Sequence, residues 1–224
     1  MSGGAEARRR AEPDAAGFVL AGGESRRMGR DKALVEFAGR PLIAHALSIL
    51  KGAGLPPMIA GARSALGDFA PVVEDRDPGL GPLSGICAAL ERTQAGHAVF
   101  ISVDMPLLPS SLLQYLLHHA RITGRAVTLA SVTGFAQTFP AVLDHAVLPV
   151  LRSELAGRRL GCFRSFKAAA AKLEQPVSIV SVELVAQAGQ AEHPHGISAG
   201  RWLLNLNAPG DLGRAAGQSA SDIA

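Results

Sequence analysis

The chain has 224 residues and a net charge of +3, long enough to bury a sizeable core in one α/β domain. Hydrophobic residues make up 48% and aromatic residues only 4%; a core of Ala, Val, Leu and Ile suits a parallel sheet covered by helices better than a barrel or sandwich. The 22 Lys and Arg are too nearly balanced by 19 Asp and Glu to make a nucleic-acid face, and Cys87 and Cys162 lie too far apart to suggest a disulfide framework or zinc site. Residues 1–15 are expected to be a disordered leader. Arg8-Arg9-Arg10 is followed by Glu12, Pro13 and Asp14 rather than by the apolar stretch of an export signal. Residues 16–21 read as a first strand, ending in Gly22-Gly23 and a run of cations, Arg26, Arg27, Arg30 and Lys32. A helix is expected over 41–52, opened by Pro41, then short strands at 58–61 and 71–73. A helix over 82–93 precedes the strongest strand, 98–103, and residues 109–120 form a further helix before a strand at 126–131.

Beyond residue 132 the pattern weakens. A strand at 138–143, helices at 144–156 and 163–173, and a strand at 176–183 are expected. A surface loop follows over 186–200, then a short strand at 202–206, a helix at 209–216 and a frayed tail at 218–224. Alternating strands and helices imply βαβ crossovers: a Rossmann-like three-layer fold, mostly parallel, with helices on both faces, in a single domain over 16–217. No apolar run reaches the ~18–20 residues that span a bilayer, and the isolated cysteines suit a reducing cytosol.

Chemistry concentrates at four places. Gly22 and Gly23 leave the backbone bare after a buried strand, so that its N–H groups can approach an anion, and ten of the 22 cations lie in the first 63 residues. Neither standard phosphate-loop signature is present. Asp104 ends the most hydrophobic strand, where α/β proteins place ligands; a buried carboxylate there needs a cationic partner, and magnesium, which takes oxygen ligands and substrate phosphates, suits it. Asp75 lies in Glu74-Asp75-Arg76-Asp77-Pro78-Gly79-Leu80-Gly81-Pro82-Leu83-Ser84-Gly85, a tight loop able to contact a base or ribose. Asn205 and Asn207 would share one face of the last strand, Asn207 serving either as a magnesium or substrate ligand or as a helix cap. The seven histidines form no ligand set, though His193 and His195 flank Pro194 in a loop.

Leu20 to Lys32, Leu-Ala-Gly-Gly-Glu-Ser-Arg-Arg-Met-Gly-Arg-Asp-Lys, resembles the opening of nucleotidyltransferases of the pattern Leu-Ala-Gly-Gly-x-Ser-x-Arg-Met-Gly-x-Asp-Lys, and most closely the molybdenum cofactor guanylyltransferases. Gly81-Pro82-Leu83-Ser84-Gly85 resembles their Gly-Pro-Leu-x-Gly, and Asn205 to Leu212 their closing Asn-x-Asn-Thr-Pro-x-Asp-Leu, with Ala208 in place of Thr. The resemblance implies a cytoplasmic enzyme that joins GMP from GTP to molybdopterin and releases pyrophosphate with Mg2+. It implies nucleotide binding by Leu20, Ala21, Gly22, Gly23, Lys32, Asp75 and Asp104, and catalysis by Lys32, Arg26 and Asp104. Asp104 would hold the metal, with Asn207 as a further ligand, and the product would pass to a recipient molybdoenzyme or its chaperone. Two departures stand out: Met58-Ile59-Ala60-Gly61-Ala62-Arg63 lacks the usual Asn after the second strand, and Phe139-Pro140 replaces His-Pro. A cytidylyltransferase acting on the same pterin, a sugar-phosphate nucleotidyltransferase, and a non-catalytic nucleotide-binding regulator are the competing readings.

Overall fold

The computed structural model describes residues 14–21, 31–61 and 66–206. Among these residues seven strands form one sheet, and each extends from a segment of apolar or β-branched side chains. They are β1 (Ala15–Leu20), β4 (Pro57–Ala60), β5 (Val72–Val73), β6 (His97–Ser102), β7 (Val127–Val132), β8 (Phe135–Asp144) and β9 (Ser178–Ser181); β2 (Glu36–Phe37) and β3 (Arg40–Pro41) pair separately as a small hairpin. The sheet order is β5-β4-β1-β6-β8-β7-β9. Pairings β5–β4, β4–β1, β1–β6 and β7–β9 are parallel, while β8 runs antiparallel to both of its neighbours. The expected mostly parallel α/β sheet is therefore present, with one reversed strand that follows β7 through a tight turn. Pro140 lies inside β8 and cannot donate to a ladder, and the β7–β8 register breaks between Leu129 and Ser131 beside it.

Every residue of β1 is buried, and its side chains alternate between two cores, as the period of two requires. On one side Val19, with Val99 and Ile101 of β6, packs under α1 (Leu42–Gly52), α3 (Ser110–Thr123) and α6 (Val182–Gln187). On the other, Phe18 stacks on its register partner Phe100 at 5.2 Å beneath α2 (Pro82–Arg92), α4 (Leu148–Ala156) and α5 (Cys162–Lys172). Each fully buried Leu, Ile or Phe contributes about 1.5–3 kcal/mol relative to exposure, so the two cores hold both helical layers to the sheet. Helices α1 and α3 are also joined by polar bonds: Ser110 donates to the Ile49 carbonyl at 2.9 Å and Gln114 to that of Gly52 at 3.2 Å. The Ile49 carbonyl also accepts from the Ala53 N–H at 3.0 Å, whereas Gly52 lies in the last turn, whose carbonyls have no onward helical donors.

The second half departs from expectation in three places. The helix expected over 144–156 is split into a 3-10 turn at His145–Val147, capped by the Asp144 carboxylate, and α4 proper. The strand expected to reach residue 183 stops at Ser181, whose hydroxyl accepts from the Leu184 N–H and starts α6 in what the sequence suggested was strand and loop. No strand forms over 202–206; a 3-10 turn at Ala199–Arg201 precedes Trp202, whose indole N–H donates to the Ile197 carbonyl at 2.7 Å. The buried Trp202, Leu203 and Leu206 plug one core rather than alternating along a sheet. The expected helix at 209–216, the tail and nearly all of the leader lie outside the described residues. Among those residues no helix is long and apolar enough to cross a membrane.

Candidate active site

The mouth of the sheet is built where β4, β1 and β6 end side by side. The Ala21 N–H donates to the Ala60 carbonyl and the Val103 N–H to the Leu20 carbonyl, each at 3.2 Å, so Leu20 and Ala21 sit between the ends of β4 and β6. Two residues past β6, Asp104 is only 8% exposed. Its Oδ2 accepts from the Lys32 ammonium at 2.5 Å, across 72 residues of sequence. Its Oδ1 is buried, and among the described residues it has no hydrogen-bond partner.

Lys32 reaches this point from a short 3-10 turn, Lys32–Leu34, whose preceding residue Asp31 accepts from the Ala33 N–H at 3.0 Å. The turn sets the lysine stem, and the carboxylate draws the ammonium in. The Asp104 carbonyl accepts from the Leu206 N–H at 2.9 Å, bringing the chain's closing segment to the same strand end. Asn205 is exposed there, in irregular backbone rather than on a strand, which corrects the expectation that Asn205 and Asn207 share a strand face. Gly22, Gly23, Arg26 and Asn207 lie outside the described residues, as do Arg27 and Arg30.

The loop after β5 forms a second wall. Asp75 Oδ1 accepts from the Asp77 N–H at 2.9 Å and from the hydroxyl of Ser84, in a very short contact. Ser84 is buried in the first turn of α2. The helix starts sharply because Gly81, at φ 77°, hands the chain to Pro82. Just beyond, a Cβ built on Gly85 would come within 3.1 Å of both the Cα and N of Gly61. The contact explains glycine at 85, while Gly61 itself takes a positive φ of 72° just past β4. At the outer rim, Arg152 of α4 bonds Glu91 of α2 and the Asp77 carboxylate, the latter at 3.3 Å. Ser84 and Arg152 were not singled out by sequence reasoning. Ser84 fills the unspecified position of Gly-Pro-Leu-x-Gly, and Arg152 carries no local signal at all.

Residues 17–199 match the model of the MobA-like NTP transferase domain family. The chain belongs to the MobA-like NTP transferases. A molybdenum cofactor guanylyltransferase of Shewanella loihica is 36% identical over 148 residues, which cover 64% of this chain and 74% of that one. A Pseudomonas putida protein of the same name is 37% identical over 139 residues, 60% of this chain and 72% of its own. Among solved structures, molybdopterin-guanine dinucleotide biosynthesis protein A from Archaeoglobus fulgidus superimposes with a TM-score of 0.74 at 20% identity, covering 92% of this chain and 99% of that one. The 2-C-methyl-D-erythritol 4-phosphate cytidylyltransferase of Thermus thermophilus superimposes with a TM-score of 0.61 at 16% identity, covering 91% of this chain and 98% of that one. These structural likenesses are likenesses of fold.

In this MobA-like NTP transferase the donor set at Asp104 fits a divalent cation. A buried carboxylate oxygen with no donor costs free energy that a hard cation recovers. Among the described residues no three His, Cys, Asp or Glu side chains converge to make an all-protein cage, so a cation on Asp104 would complete its coordination with phosphate oxygens and water. In the loop over 193–195 the backbone N–H of His195 donates to His193 Nδ1 at 3.1 Å, and burial with the neighbouring His195 lowers the His193 pKa to about 4. Cys87 and Cys162 lie in the core, where burial pushes their pKa values up to about 11 and about 12, so neither thiol is a nucleophile.

Proposed function

We propose that the chain is a molybdenum cofactor guanylyltransferase, transferring GMP from GTP to the phosphate of molybdopterin. The observation that carries this reading is the Lys32–Asp104 pair at the mouth of β1 and β6, with Asp104 Oδ1 buried and, among the described residues, unpartnered. One ammonium and one metal-ready carboxylate are thereby placed beside the strand end that opens the Leu20–Lys32 motif. The names of the relatives extend the reading to the guanine nucleotide and the pterin acceptor.

In the proposed reaction an acceptor phosphate oxygen attacks the α-phosphorus of GTP in line. The bond from that phosphorus to the bridging oxygen breaks, and pyrophosphate leaves with the electron pair. No protein nucleophile is needed, so the side chains act by position and charge. Asp104 would hold a divalent cation, Mg2+ in this proposal, with Asn207 as a further oxygen donor; when bound, the metal neutralises phosphate charge. Leu20, Ala21, Gly22 and Gly23 present backbone to the nucleotide, and Asp75 orients it. Lys32 and Arg26 stabilise charge on the departing pyrophosphate. The setting proposed is the cytosol, with a molybdoenzyme or its chaperone receiving the product.

Single-turnover pyrophosphate release, with GTP, CTP and ATP in turn and with or without molybdopterin, tests the proposal. Release is expected with GTP and only in the presence of the pterin. Faster release with CTP would make the chain a cytidylyltransferase, release with a sugar phosphate but not the pterin would change the acceptor, and binding without release would make it a regulator.

A further inference from the structure

We infer that Ser84 is a positioning residue for Asp75, fixing which carboxylate oxygen the nucleotide meets; the inference rests on the assignment of Asp75 to the nucleotide pocket. Ser84 is 2% exposed and sits on the third residue of α2, nine residues beyond Asp75. Its hydroxyl has one proton and two acceptors within reach, Asp75 Oδ1 and the Asp77 carbonyl at 3.1 Å. The charged acceptor takes it, because hydrogen bonds to an ionised carboxylate are shorter and about twice as strong as neutral ones. The Asp77 N–H fills the other acceptor site of the same oxygen at 2.9 Å.

Asp75 Oδ1 is therefore saturated from within the loop, and among the described residues nothing bonds to Oδ2. The half-buried carboxylate cannot turn without breaking two bonds at once. It offers a single pre-oriented oxygen to a base or ribose donor. Pre-orientation of this kind raises affinity by removing the cost of ordering the group on binding. The device belongs to this chain's own loop: Ser84 stands at the position that Gly-Pro-Leu-x-Gly leaves open. Alanine there would keep the helix and the packing while releasing Asp75 to rotate.

The test is a double-mutant cycle of Ser84→Ala and Asp75→Asn, read by calorimetric titration with Mg2+ and GTP and by thermal melting. Ser84→Ala is expected to weaken GTP binding about five- to tenfold, the scale of one ordinary hydrogen bond, with little change in melting temperature because alanine favours the helix. In the Asp75→Asn background the same substitution should change GTP affinity less than about twofold. A Ser84→Ala protein that binds GTP like the parent, while Asp75→Asn weakens binding, would overturn the role of Ser84 and leave that of Asp75. Equal loss in both backgrounds would also overturn it, since Ser84 would then act independently of Asp75. Unchanged GTP affinity in Asp75→Asn alone would remove Asp75 from the pocket and the inference with it.

Discussion

At the scale of single residues, Asp104 and Lys32 hold opposite charges at the end of β6 under partial burial, 11% and 20% side-chain exposure. Asp104→Asn preserves volume but removes the charge, so turnover should fall by at least about a hundredfold, as for loss of a metal's electrostatic contribution, while the fold persists. A residue serving only as a helix cap would tolerate the same change, since Asn caps about as well as Asp. Near-parental pyrophosphate release by Asp104→Asn would therefore leave the carboxylate structural. Lys32→Met should act in two directions. Triphosphate binding should weaken about tenfold or more, the scale of a charge-assisted contact, because a cation leaves the phosphate site. Divalent-cation binding by the nucleotide-free protein should tighten, because the ammonium no longer competes for Asp104 Oδ2. Manganese titration with and without GTP reads both effects, and weaker manganese binding in Lys32→Met would refute the competition.

At the scale of elements, the first turn of α2 connects packing to the site. It carries Ser84 toward Asp75 and presses Gly85 against the Gly61 backbone. Gly85→Ala must push two backbones apart, because the obstructing atoms at 3.1 Å are main-chain and cannot rotate away. A loss of about 1–3 kcal/mol is expected, typical of overpacking, together with weaker GTP binding as the Asp75 loop shifts. Urea denaturation and GTP titration of the same variant would measure both; a variant as stable as the parent would show that the helix slides without strain. The rim bond from Arg152 to Asp77 and Glu91 is more exposed, and such pairs contribute little to stability.

At the scale of the whole molecule, two apolar cores clamp one sheet, and the proposed nucleotide site lies at the carboxyl ends of its central strands rather than in either core. A ligand that binds only this folded arrangement raises its apparent stability. GTP at a hundredfold excess over its dissociation constant should raise the melting temperature by roughly 5–10 °C, from about 2.7 kcal/mol of linkage in a domain of this size. CTP and ATP at the same concentration should give smaller shifts. A larger shift with CTP would move the base preference away from guanine.

Residue order alone determined the parallel α/β class, the helices α1, α2, α3 and α5 to within a few residues, and the candidacy of Lys32, Asp75 and Asp104. Those features are local: apolar runs, helix-starting prolines and a thirteen-residue motif write themselves into short windows. Tertiary structure decided what depends on partners far along the chain. Ser181 starts a helix where β alternation suggested strand, and Trp202 turns its segment into a core plug because an indole finds more contact there than on a sheet edge. The reversal of β8 follows from a tight turn that brings it back between β6 and β7. The pairing of Lys32 with Asp104 across 72 residues, and the seat of Ser84 on Asp75, are set by how strand ends and loops converge. A side chain's hydrogen-bond partner is chosen by proximity in the folded chain, and proximity of that kind is not encoded in any window of neighbouring residues.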